Sequence, residues 1–289
     1  MISVLTLMAS PPVRSLPLPS GRRVPALGLG TWHMGEDRAR RRAEVAALRL
    51  GLDLGLSLVD TAEMYANGRA EEVVGEAIAG RRERVFVVSK VLPTNATRAG
   101  TIAACEGSLR RLRTDRIDLY LLHWRGPTAL AETVEAFGDL TRAGKILGWG
   151  VSNLDPSDVA ELWGVPGGGA VQANQVLYNP VRRGIERDLL PLCRARGIAV
   201  MAYSPIEEGR LARNQALRSV ARRHRATAAQ VSLSWVLRQE GVIAIPKAAT
   251  LAHVEENRAA LELTLGPEDL REIDRAFPPP DGPVPLEML

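Results

Sequence analysis

Short apolar runs rich in β-branched and aliphatic residues recur along this chain, and each is followed by a longer stretch whose apolar positions return every three to four residues. A short run of that kind predicts a strand buried on both faces, and the periodic stretch predicts an amphipathic helix, so the alternation predicts βα units and a parallel sheet. Strands are expected at residues 27–31, 57–60, 85–90, 118–123, 147–152, 171–175, 199–204 and 242–246. Helices are expected between them. Examples are 40–54, with Val45, Leu48 and Leu52 on one face, and 128–143, which stops before Gly144.

A unit length of about 30 residues suits right-handed crossovers. Eight successive units favour a closed (β/α)8 TIM barrel of the α/β class over an open doubly wound sheet. Residues 16–26, with a turn at Ser20 and Gly21, predict a short β-hairpin ahead of the first barrel strand. No linker, low-complexity tract or charge block interrupts the series. The expected organisation is a loose N-terminal tail over 1–15, one barrel domain over 16–277 and a short C-terminal tail over 278–289.

With 289 residues and 46% hydrophobic content, the chain can bury the large core such a barrel needs. Its apolar stretches are strand-sized, short of the roughly 20 residues of a membrane-spanning helix. Residues 1–9 lack the basic start of a secretory signal. Cys105 and Cys193 make no disulfide framework, and Cys105 falls in the helical series Ile102, Cys105, Leu109, Leu112. Both are expected to be reduced core residues of a cytoplasmic protein. The net charge of +4 comes with basic clusters at 38–42, 81–84 and 222–225, but no aromatic platform or reading helix accompanies them. They read as solvated faces, so neither nucleic acid nor membrane is an expected partner, and the chain is expected to be a monomer or a weak homodimer. Of 37 basic residues only Lys90, Lys145 and Lys247 are lysine. Against so strong a preference for arginine, a surviving lysine marks a place for a compact ammonium whose pKa can be tuned.

Active sites of such barrels gather at the carboxyl ends of the strands. Polar residues stand at most of these ends: Asp60, Lys90, His123, Ser152 and Asn153, Gln175, Tyr203 and Ser204, and Lys247. Reduction of a carbonyl by hydride needs a proton for the developing alkoxide. Tyr65, five residues beyond Asp60, places a phenol above the barrel mouth, but an ordinary phenol with a pKa of about 10 is a sluggish donor. The ammonium of Lys90 would favour the phenolate, Asp60 would hold that ammonium, and His123 would direct the carbonyl oxygen or relay a proton. Taken singly, these residues have plain structural readings as a buried ion pair, a core tyrosine and a satisfied histidine. Four of them at the ends of three successive strands are what a reaction site requires.

The chain resembles the aldo-keto reductase family through Gly28-Leu29-Gly30-Thr31-Trp32, Asp60-Thr61-Ala62-Glu63-Met64-Tyr65, Val88-Ser89-Lys90, Leu121-Leu122-His123-Trp124, Gly150-Val151-Ser152-Asn153, Tyr203-Ser204-Pro205 and Ile245-Pro246-Lys247, in family order from residue 16 to about 277. The resemblance implies a catalytic tetrad of Asp60, Tyr65, Lys90 and His123, with Tyr65 as proton donor. It implies nicotinamide contacts at Ser152, Asn153 and Gln175, and stacking on Tyr203. Further cofactor contacts are implied at Gly30, Thr31, Trp32, Asp60, Ser204, Pro205, Lys247, Ala248, Thr250, His253 and Asn257, and a substrate pocket at Trp32, Tyr65, His123 and Trp124. Within the family the chain is similar to the bacterial branch that reduces methylglyoxal and other small aldehydes, through Glu63-Met64-Tyr65, Asn174-Gln175-Val176-Leu177-Tyr178 and Pro246-Lys247-Ala248-Ala249-Thr250.

The expected cofactor is NADPH. Ala248 and His253 replace a serine and an arginine that relatives use to clamp its 2′-phosphate, which leaves NADH use open. Gly28-Leu29-Gly30 lacks the third glycine and the acidic residue of a Rossmann fingerprint, and it reads as room for backbone near the barrel mouth. The short loop after His123 and the short tail predict an open pocket for small carbonyl substrates. Two other readings are a nicotinamide-binding regulatory module with vestigial catalysis and a metal-dependent barrel hydrolase. Complete retention of the four central residues counts against the first. Against the second, only His123 among His33, His123, His224 and His253 ends a strand, and no His-x-His pair occurs.

Overall fold

The computed structural model describes residues 12–289. Most of the expected N-terminal tail, residues 1–11, lies outside the described residues. A two-stranded antiparallel hairpin comes first, β1 (Ser15–Pro17) and β2 (Arg23–Pro25). Its turn is closed by Gly21 N donating to Leu18 O at 2.8 Å, with Gly21 at φ +81°. Eight parallel strands follow: β3 (Gly28–Gly30), β4 (Leu58–Asp60), β5 (Phe86–Val91), β6 (Leu119–Leu122), β7 (Trp149–Ser152), β8 (Ala173–Leu177), β9 (Ala199–Tyr203) and β10 (Val242–Ala244). They pair in chain order, and bridges Leu27↔Ala244 and Gly30↔Lys247 join the last strand to the first. The expected barrel is the observed architecture.

The helices lie between the strands and cover the barrel: α1 (Arg41–Asp53), α2 (Arg69–Ile78), α3 (Arg98–Leu112), α4 (Leu130–Arg142), α5 (Pro156–Gly164), α6 (Leu189–Ala195), α7 (Gln215–Arg223) and α8 (Ala228–Leu237) before β10, then α9 (Leu251–Ala259) and α10 (Pro267–Ala276). Sequence signals fix several starts. Asp155 and Asp158 form a capping box ahead of Pro156, and Thr227 and Gln230 form one ahead of α8. Among the described residues, no helix is long and apolar enough to cross a membrane.

Some strand ends differ from expectation by one or two residues, and pairing explains the shifts. Val91 pairs with Leu122, so β5 runs one residue beyond Lys90. Val176 and Leu177 pair with Ala202 and Tyr203, so Gln175 sits inside β8 rather than at its end. His123 falls just past β6, with its N–H on Val91 O at 3.0 Å. Pro246 has no N–H to continue the ladder, yet its carbonyl accepts Gly30 N at 3.0 Å, and the barrel closes there.

The floor of the barrel is tied to the hairpin. Arg22 Nη2 reaches Asp118 Oδ1 at 2.7 Å, and Ser20 N donates to Gln172 Oε1 at 2.8 Å. With the floor occupied, the polar strand ends point to the opposite, carboxyl-terminal mouth.

Closure of the barrel requires close backbone approach at Gly30, where an added Cβ would lie 2.6 Å from the Ile245 carbonyl oxygen. Gly30→Ala is expected to cost roughly 1–3 kcal/mol by overpacking, seen as a melting temperature lowered by several degrees. An unchanged melt would show that β3 and β10 do not pack this tightly.

Candidate active site at the barrel mouth

Lys90 is fully buried, and a buried ammonium must find partners for each of its three N–H donors. It finds them all. Nζ donates to Asp60 Oδ1 at 2.7 Å, to Thr61 O at 2.8 Å and to Tyr65 Oη at 3.1 Å. The other carboxylate oxygen of Asp60 accepts Gln175 Nε2 at 2.8 Å. Successive residues of a strand face opposite ways, so Lys90 points into the barrel while Ser89 faces α2 and donates to Glu71 Oε1 at 2.6 Å.

Tyr65 follows β4 on a turn of unusual backbone. Ala66, Asn67 and Gly68 have φ of +50°, +53° and +84°, a left-handed conformation that costs about 1–2 kcal/mol for each of the two residues with a Cβ. The turn lays the phenol against the Lys90 ammonium, the Trp32 ring at 4.8 Å and the His123 ring at 5.8 Å. The Trp124 ring lies 4.8 Å from that of His123.

Burial would discharge Lys90, but Asp60 foremost, with Tyr65, more than compensates and holds its pKa above the ordinary lysine value. Burial is also the largest influence on Tyr65, raising its phenol above the ordinary value. The Lys90 charge and hydrogen bond pull it down, while Asp60 adds to the rise. A phenol more acidic than ordinary is therefore not what this arrangement produces: the ammonium offsets part of a desolvation penalty. Burial, helped by Lys90, pushes the His123 imidazole down to about 2. The ring is neutral at any working pH. Its Nδ1 is buried without a hydrogen-bond partner.

Around this centre stand the residues expected to meet a nicotinamide. Ser152 Oγ donates to Gln175 O at 2.9 Å. Asn153, at φ +57°, donates to His123 O at 3.3 Å and accepts Tyr203 Oη at 3.1 Å. Gln175 commits one amide hydrogen to Asp60, which ties it to the central cluster as well as to the rim. Thr31 Oγ1 donates to Asp60 O at 2.9 Å. Ser204 O and Pro205 O accept Asn179 Nδ2 at 2.9 Å and Ser232 Oγ at 2.6 Å, so both carbonyls serve to shape the loop after β9.

A second group lies past β10, beginning where Lys247 pairs with Gly30 at the barrel seam. Lys247 and His253 are exposed and Ala248 is buried. Thr250 caps α9 by accepting His253 N at 3.3 Å. Asn257 is 3% exposed, yet its Nδ2 has no partner. An ammonium, a helix start and an orphaned amide donor are a fitting set for the phosphorylated adenosine of a dinucleotide.

Three features were not legible as site features in the sequence. Glu63 accepts Leu92 N at 2.8 Å and Asn95 Nδ2 at 2.9 Å. Glu71 is fully buried and binds Arg111 Nε at 2.6 Å. Glu71 falls among the buried Ala70, Val73, Val74 and Ala77 of α2, and a charge inside an apolar face is the signal that points to it. The C-terminal tail also folds back to the mouth, with Arg182 on Glu287 at 2.7 Å and Leu289 N on Tyr203 Oη at 3.4 Å.

Comparison with known proteins gives the family and fold of the chain. The model of the Aldo/keto reductase family matches residues 26–277. Methylglyoxal reductase YeaE of Escherichia coli (strain K12) is 55% identical, over 92% of this chain and 95% of that protein. Glyoxal reductase of Bacillus subtilis (strain 168) is 34% identical, over 91% of this chain and 95% of that one. The crystal structure of an aldo-keto reductase from Klebsiella pneumoniae in complex with NADPH superposes with a TM-score of 0.93 at 51% identity, covering 96% of this chain and 99% of that one.

A neutral buried imidazole makes stability depend on pH. Below the ordinary histidine value of about 6.5 the unfolded chain takes up a proton at His123 that the folded chain refuses, so stability present above that pH is lost as pH falls. The expected loss is about 1.4 kcal/mol per pH unit from this group alone. Urea unfolding of the wild type and His123→Gln at pH 7 and pH 5 checks it. The variant should lose less stability, and equal losses would place a protonated imidazole in the fold.

Proposed function

The chain belongs to the aldo/keto reductase family, and on that premise we propose that it reduces methylglyoxal and similar small aldehydes and ketones to alcohols with NADPH, Tyr65 giving the proton. The observation that carries this reading is the 3.1 Å contact between the Tyr65 phenol and a Lys90 ammonium that Asp60 keeps charged. The relatives named for methylglyoxal and glyoxal reduction support the substrate class. Two buried, unpaired cysteines, each with its thiol pushed up to about 12 by burial, are consistent with work in the cytoplasm.

When bound, the nicotinamide supplies a hydride to the carbonyl carbon. Every other requirement falls to residues of this chain. Tyr65 Oη gives its proton to the carbonyl oxygen, and the phenolate that remains is stabilised by the Lys90 ammonium at hydrogen-bond distance. Asp60 prevents Lys90 from discharging, so that stabilisation is in place before the reaction starts. His123, held neutral, hydrogen-bonds the substrate oxygen without competing as an acid. Trp32 and Trp124 flank the reacting oxygen and shape a pocket for a small carbonyl compound. Ser152, Asn153 and Gln175 would hold the nicotinamide carboxamide, with Tyr203 against the ring. Lys247 and the start of α9 would take the 2′-phosphate, and Asn257 the adenine.

Tyr65→Phe should lower kcat for methylglyoxal by at least about a hundredfold, with the Kd for NADPH little changed, as read by protein fluorescence. Near-normal turnover would mean that another group is the acid. At the phosphate end the exposed His253 is the residue to change, because Ala248 is only 1% exposed and a hydroxyl there would need a buried partner. His253→Arg should tighten NADPH relative to NADH by roughly tenfold through a bidentate contact. An unchanged ratio of the two Kd values would mean that the 2′-phosphate is held elsewhere.

A further inference from the structure

The segment that carries Tyr65 is flanked by two carboxylates that cross to β5 and the turn just after it. Glu63 lies two residues before Tyr65. It accepts Leu92 N at 2.8 Å and Asn95 Nδ2 at 2.9 Å, both with Oε1; Leu92 follows directly on β5 and Asn95 closes the turn after it. Its own N–H reaches Lys90 O at 3.4 Å. Glu71 lies six residues after Tyr65, in the first turn of α2, and accepts Ser89 Oγ at 2.6 Å from the residue beside Lys90. Its second oxygen accepts Arg111 Nε at 2.6 Å. Arg111 in turn lies against Gly68, where an added Cβ would come within 2.5 Å of its side chain.

Between the two carboxylates the chain holds the left-handed run of Ala66, Asn67 and Gly68. Such a run persists only where its surroundings over-determine it. Left free, the turn would relax, and the phenol would move off the ammonium. We propose that Glu63 and Glu71 are positioning residues for the proton transfer: they clamp the strained Tyr65 turn to the Lys90 strand from both sides and so set the distance between phenol and ammonium. This rests on Tyr65 being the proton donor. The two carboxylates touch neither Lys90 Nζ nor Tyr65 Oη, and they act through the backbone they hold.

Glu63 makes both of its contacts as an acceptor through one oxygen, and the amide of glutamine offers the same oxygen. A positional role therefore survives Glu63→Gln and is lost in Glu63→Ala, whereas an electrostatic role would be lost in both. The test measures kcat for methylglyoxal, the Kd for NADPH by fluorescence, and the melting temperature, for Glu63→Ala, Glu63→Gln and Asn95→Ala. Ser89→Ala probes the other clamp without leaving the Arg111 guanidinium facing an empty site.

Glu63→Ala is expected to lower kcat by roughly ten- to a hundredfold, as a small misplacement of the acid would, with the Kd for NADPH kept within about twofold. Glu63→Gln should stay near the wild type, and Asn95→Ala and Ser89→Ala should show smaller losses of the same kind. In a Tyr65→Phe background Glu63→Ala should have no further effect. The proposal is overturned if Glu63→Ala turns over like the wild type, if Glu63→Gln is as slow as Glu63→Ala, or if Glu63→Ala costs as much with Tyr65 absent as present. Wild-type turnover by Tyr65→Phe alone would instead overturn the proton-donor reading, and the clamp's purpose with it.

Discussion

A fully buried ammonium governs the mouth of this barrel. Taking a charge out of water costs several kcal/mol unless every donor is met and a counter-charge stands close. Lys90 meets that condition with one carboxylate, one carbonyl and one phenol, drawn from the end of β4 and the turn that follows it. The neighbours inherit constraints from this. Asp60 must stand against the ammonium, Gln175 must turn its amide to the other carboxylate oxygen, and the chain just after Tyr65 leaves helical backbone at Ala66 and Asn67.

The electrostatic character of the site is opposition rather than simple activation. Burial drives the phenol up, the imidazole down and the ammonium towards discharge; Lys90 opposes the rise of the phenol while Asp60 adds to it, Lys90 adds to the fall of the imidazole, and Asp60 with Tyr65 keeps the ammonium charged. The result is a charged lysine beside a protonated tyrosine and a neutral histidine. On the proposal that Tyr65 gives the proton, that distribution suits the step, because the phenolate left behind would rest on the ammonium.

Much of this was legible in the sequence, for identifiable reasons. Strands buried on both faces give apolar runs, so the eight barrel strands could be read to within a residue or two. Polar residues that break those runs at strand ends marked Asp60, Lys90 and His123. The strand ends themselves were less legible, since Val91 and Val176 continue their ladders by pairing with neighbours far along the chain. The net direction of the Tyr65 shift could not be read either, because it depends on how deeply the phenol is buried. Glu63 and Glu71 were silent in function for the same reason: the partners of Glu63 lie just past another strand, those of Glu71 on that strand and on another helix, and sequence spacing does not encode that meeting.

The central claim is that the Lys90 charge, kept by Asp60, makes Tyr65 an effective acid. Lys90→Met alone would strand a buried carboxylate, so the direct measurement is kcat for methylglyoxal in the double variant Asp60→Asn/Lys90→Met, which removes both charges together, alongside its melting curve. The account predicts a folded protein whose kcat is at least about a hundredfold below the wild type. A folded double variant with turnover close to the wild type would contradict it.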